Sequence, residues 1–174
     1  MSRARNRIWG VSLSLALLAF SVPALAGWEV FKTANVKFHV PDTWNTSQEG
    51  EKVLTRPPKD AKNSDVFVEF VGIDHGTKDA EKVEESLMKQ LNKRFDDVKI
   101  VGKGKKIKQH GHDGFVFGGT AKEKSGAEVH WMSAILETGK GTGVAVLAGG
   151  TPADIKVHRK ALVKTLDSIQ ANKD

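Results

Sequence analysis

The sequence predicts an α+β domain, an antiparallel β-sheet with helices on its faces. Three observations lead there. Short runs in the first half alternate or are β-branched, as in Val36-Lys37-Phe38-His39-Val40 and Val66-Phe67-Val68-Glu69-Phe70-Val71. Residues 98–148 read as successive strands joined by short Gly-containing turns, which suit antiparallel pairing. Two segments, roughly 78–95 and 152–170, place apolar residues at the helical period instead.

Each element follows from its residues. Trp28 and Val30, then Val36, Phe38 and Val40, alternate with Glu29, Lys37 and His39 around Thr33-Ala34-Asn35. That is a hairpin with one buried face. Pro41-Asp42-Thr43-Trp44 ends it, since Pro cannot donate to a ladder. Lys52 to Thr55 makes a short strand stopped by Pro57-Pro58. The Val66–Val71 run is apolar on nearly both faces and should be covered on both sides.

A helix from about Lys78 to Phe95 is expected, with Thr77 as its cap and Ala80, Val83, Leu87, Leu91 and Phe95 as its stripe. Strands at about 98–108, 113–121, 127–137 and 143–148 follow. Their turn signals are His112-Asp113-Gly114, Ser125-Gly126 and Gly139-Lys140-Gly141. The last helix runs from Pro152 to about Gln170. Thr151 caps it, Pro152 sits at N1, and Ile155, Leu162, Val163, Leu166 and Ile169 form the buried stripe.

The first 26 residues read as a cleavable secretory signal. Arg3, Arg5 and Arg7 precede an apolar run from Ile8 to Phe20, and Pro23-Ala24-Leu25-Ala26 ends in a small-x-small cleavage pattern. A membrane span needs roughly 20 apolar residues, more than this run supplies. The expected organisation is therefore a signal at 1–26 and one domain at 27–174, periplasmic or secreted, with no membrane span after cleavage. Three of the 27 Lys and Arg lie in the leader, so the formal charge of +6 halves on its removal. The chain has no cysteine, which excludes disulfides, thiolate metal sites, a Cys nucleophile and a lipidated N-terminus.

Phe38-His39-Val40-Pro41-Asp42-Thr43-Trp44, the Val66–Val71 strand, the 78–95 helix, a Gly-centred hairpin at Gly111–Gly114, the meander, and a last helix ending Leu166-Asp167-Ser168-Ile169 together resemble the PsbP-like family. That family is named for an extrinsic photosystem subunit. The resemblance implies an α/β/α sandwich and a non-enzymatic role, docking onto a protein complex, in some members with metal or ion retention. The bacterial-type leader argues against a part in oxygen evolution.

Among candidate sites, His110, His112 and Asp113 form the sharpest cluster. On an extended strand, residues i and i+2 share a face, so both imidazoles would reach one divalent ion, zinc or manganese. The competing reading is a polar hairpin turn. Lys99, Lys103, Lys105, Lys106 and Lys108 make a positive segment for an anionic lipid, a polysaccharide or an acidic partner face. Solvent-facing lysines on a strand also protect against edge pairing. Nucleic acid is not expected, because no aromatic residue interleaves with this charge. Trp44 is a candidate partner anchor, with core-edge packing as its alternative; Trp131, in period with Val129 and Ile135, belongs to the core.

Gly139-Lys140-Gly141-Thr142-Gly143 lacks the spacing and the following helix of a phosphate loop. The Gly149-Gly150 pair before the last helix is explained by capping. No Gly-x-Ser-x-Gly occurs; Glu128 and His130 share one strand face and could form an acid–base pair, with a surface pair as the competing reading. The sequence thus points to an exported, non-catalytic accessory or adaptor protein that docks onto another envelope or secreted protein. No resident cofactor is expected. The alternative is a metal- or anion-binding periplasmic protein that uses His110, His112 and Asp113.

Overall fold

The computed structural model describes residues 27–58, 65–73, 80–139 and 142–172. The leader at 1–26, the helix cap at Thr77 and the turn residues 140–141 lie outside the described residues. In chain order the elements are β1 (Trp28–Phe31), a 3-10 turn (Lys32–Ala34), β2 (Val36–His39), β3 (Asn45–Glu49), β4 (Lys52–Arg56) and β5 (Phe67–Ile73). After these come α1 (Ala80–Arg94), β6 (Asp96–Ile100), β7 (Lys105–Gln109), β8 (His112–Lys122), β9 (Glu128–Gly139), β10 (Thr142–Gly150), α2 (Pro152–Asp167) and β11 (Gln170–Ala171).

The main sheet runs β3-β4-β5-β10-β9-β8-β6, with β7 on the remaining length of the β8 edge. Every neighbouring pair is antiparallel, and β8–β9–β10 form the long central meander. A second sheet, β1-β2-β11, is small. Its first hairpin turns through Asn35, whose φ of 50° is the left-handed value that Asn tolerates.

Alternation along β5 and β10 sends side chains to two cores. Val68, Phe70, Val144, Val146 and Ala148 face one side. There they meet Phe31, Val36 and Phe38 of the small sheet, Leu162 of α2 and Ile169 just beyond it. Phe38 stacks on Phe70 with ring centroids 3.8 Å apart. Phe67, Ala145 and Leu147 face the other side, with Ile135, Trp131 and Phe117 of the meander. Because β5 pairs with β10 and not with β6, α1 must cross this face from one part of the sheet to the other. Its stripe Val83, Leu87 and Leu91 is buried along the way. Burying one such side chain contributes about 1.5–3 kcal/mol.

The expected helix-flanked α/β/α sandwich does not form. The fold is β-rich and mostly antiparallel, with eleven strands and two α-helices among the described residues. Each face has one helix, and the small sheet supplies much of the cover beside α2. Two strands escaped the sequence pattern: β3 is wholly polar (Asn-Thr-Ser-Gln-Glu), and β11 is two residues long. The single strand expected at 98–108 is two, β6 and β7, separated by Gly102 at φ 81°. The last helix stops at Asp167, because Gln170 and Ala171 pair with Lys37 and Val36.

Candidate functional site

β6 and β7 share one edge of β8: Lys99 and Ile100 pair with Thr120 and Gly119, and Lys105 to Gln109 pair with Val116 to His112. Lys105, Lys106 and Lys108 are exposed on β7, and Lys103 is exposed on the connection before it. Strand alternation divides them. Ile107 packs toward the α2 side and Gln109 bonds to the end of α2, so Lys105 shares that side. Lys106 and Lys108 stand on the opposite side. Lys99 pairs with Asp97 at 3.0 Å, and Lys108 lies 4.0 Å from Asp113. Lys103, Lys105 and Lys106 have no ion-pair partner among the described residues.

The β7–β8 turn is His110-Gly111, not the expected His112-Asp113-Gly114. Both residues have positive φ, 48° and 85°, the two-residue hairpin geometry that Gly suits best. His110 is therefore in the turn itself and His112 opens the next strand, so the two do not share one strand face. His110 Nε2–H donates to the Asp167 carbonyl oxygen at 2.6 Å, and Gln109 Nε2 donates to the Leu166 carbonyl at 2.7 Å. The hairpin tip thus serves carbonyls that the end of α2 leaves without helical partners. His112 opens β8 opposite Gln109, and Asp113 is exposed opposite Lys108. His112, Asp113 and Glu137 line a shallow hollow of about 360 Å³. Among the described residues, no three His, Asp or Glu side chains gather as a metal-holding group.

Trp44, offered as an exposed anchor, is 8 % exposed and sits in the core, edge-on to His158 at 5.8 Å. Its Pro-x-x-Trp turn closes through a hydrogen bond from Trp44 N to the Pro41 carbonyl, 2.9 Å. Glu128 and His130 do meet on β9, 2.8 Å apart and exposed.

A basic cleft of about 320 Å³ was not visible in the sequence. Arg56 at the end of β4, Asp65 and Phe67 around the start of β5, Arg94 at the end of α1, and Glu123 and Lys124 of the β8–β9 turn line it. The Arg94 guanidinium lies 3.9 Å from the Phe67 ring centroid and 5.0 Å from that of Phe95. Burial, and then the neighbouring Arg56 charge, lowers the Arg94 pKa, partly offset by Glu69 and Glu123. No local motif joins these residues, which come from four separate elements.

No family model and no curated protein matches the chain. Solved structures match its fold. Cyanobacterial PsbP (CyanoP) from Synechocystis sp. PCC 6803 superposes with a TM-score of 0.59 at 9% identity, over 83% of this chain and 91% of its own. The Ran-binding protein Mog1p of Saccharomyces cerevisiae gives 0.56 at 10% identity, over 84% and 95%. A protein from Bacteroides thetaiotaomicron VPI-5482 gives 0.54 at 14% identity, over 84% of this chain and 48% of its own. The chain therefore has a PsbP-like fold, in the β-rich form described above. Among the described residues, no helix is long and apolar enough to cross a membrane.

Proposed function

We propose that this protein is an exported, non-catalytic accessory protein that docks onto an acidic face of another envelope or secreted protein. Lys103, Lys105 and Lys106 carry the reading: exposed at a sheet edge and without ion-pair partners among the described residues, they can meet a partner's carboxylates. The leader at 1–26 supports export. The fold is also that of a Ran-binding protein, so the same architecture serves protein recognition elsewhere.

The test is affinity capture of the tagged protein from cross-linked native envelope, beside the variant K103E/K105E/K106E. One stoichiometric protein is expected with the parent chain. Its yield should fall at least tenfold with the variant and likewise when salt is raised to about 0.5 M, where screening is stronger. The variant should keep the parent's thermal midpoint, because the three replaced lysines have no ion pair to a described residue. Equal capture by parent and variant contradicts the docking surface.

A further inference from the structure

We propose that the basic cleft is a binding site for a single carboxylate, held between the Arg56 and Arg94 guanidiniums. This inference does not depend on the docking reading above.

Arg94 is held in place before any ligand arrives. Its planar group lies against Phe67 and near Phe95, and such stacking leaves the in-plane N–H donors directed outward. Among the described residues the nearest carboxylate contact, Glu69 Oε2, is 3.8 Å from Nη1 and beyond hydrogen-bond reach. Glu69 is already engaged through Oε1 by Lys52 at 3.1 Å. The Arg56 side chain, exposed across the cleft, has no hydrogen bond or ion pair to a described residue. Two guanidiniums with donors unspent among the described residues therefore share one concavity.

Charge decides the ligand class. With Glu69 balanced by Lys52, Arg56, Arg94 and Lys124 face Asp65 and Glu123, which leaves a single excess positive charge among the described lining residues. Glu123 is itself held by the Ser125 hydroxyl at 3.1 Å and stays with the turn. One excess charge matches a monoanion, and the two acids would repel a phosphate dianion more strongly than a carboxylate. A carboxylate also fits the fork of Arg94, which can donate two parallel hydrogen bonds. An anion here offsets the like-charge repulsion that helps to lower the Arg94 pKa.

The test is a titration of the ¹⁵N-labelled protein, reading the Arg94 Nε–Hε and Ser125 amide signals. The probes are N-acetyl-glutamate α-amide, its neutral glutamine counterpart, and inorganic phosphate at equal ionic strength. A saturable shift with the acid probe alone is expected. R56Q should weaken it at least tenfold, as should R94K, which keeps the charge but loses the fork. R56Q alters an exposed side chain without partners among the described residues, so its fold should persist. Equal shifts with the neutral probe, tighter binding of phosphate, or unchanged affinity in R56Q overturn the assignment. R56Q capture from the envelope identifies the source of the carboxylate. Loss of the captured protein assigns it to a partner's acidic side chain; undiminished capture with lost probe binding assigns a free carboxylate. If nothing is captured at all, the docking reading fails while the titration still decides the site.

Discussion

At Gly119, an added Cβ would press on the Lys99 carbonyl oxygen and lie 2.8 Å from both the Lys99 carbonyl carbon and the Trp131 ring. β6 reaches β8 at this point, where Ile100 pairs with Gly119. Gly119→Ala should therefore lower stability by about 1–3 kcal/mol in urea unfolding; an unchanged midpoint contradicts the packing. Asp97 is the second informative residue. It sits at φ 50° in the β6 register shift, 3.0 Å from Lys99 and 3.5 Å from Lys122. The hydrogen bond and charge of Lys99, helped by Lys122, lower its pKa below the ordinary 3.8. A depressed folded pKa stabilises above the unfolded value and is lost as pH falls through the folded one. Asp97→Asn, which Asn's tolerance of positive φ permits, should be less stable than the parent at pH 7. That gap should close on acidification below 3.8, and it should narrow in high salt at neutral pH because the group is exposed. A gap independent of pH contradicts the ion contacts. Single residues were the least legible part of the sequence. His110 and His112 looked like neighbours on one face until a positive φ at His110 made it half of the turn. Backbone conformation, not spacing, settles which side chains meet.

Among the elements, α1 offers the clearest stability test. Leu91 is fully buried between the helix and the meander, so Leu91→Ala should cost about 2–5 kcal/mol through lost transfer energy and a residual cavity. The same substitution at exposed Lys93 should change little, and comparable losses at both positions would contradict the assigned face. This helix was readable because its stripe has a strong 3.6-residue period, and its expected end at Phe95 lies one residue past the observed one. β8, β9 and β10 were readable from alternation and turn residues. β3 was not, since five polar residues on an exposed edge carry no burial signal. β11 was hidden by the stripe of α2, where Ile169 continues the helical spacing although the chain has already turned. The β6–β7 break depends on Gly102 and on close approach at Gly119, neither of which hydrophobic pattern records.

For the whole molecule, what the sequence lacked was long-range placement. Its antiparallel meander was legible, but the pairing of β5 with β10, which obliges α1 to cross the sheet, was not. That crossing brings Arg94 to Arg56 and builds the basic cleft from segments with no shared motif. The lysine segment was legible as charge, while its division between two sides of β7 required the register. These placements give two separable surfaces: a sheet edge where Lys103, Lys105 and Lys106 have no ion-pair partner among the described residues, and a concave site where β4, β5 and the end of α1 meet the β8–β9 turn. The central claim is that the β7 edge meets a partner protein. A photo-reactive residue placed at Lys106, beside a control at Lys93 on α1, tests it most directly in native envelope. The account predicts one cross-linked protein from position 106 and none from position 93. No adduct from 106, or the same adducts from both positions, would contradict it.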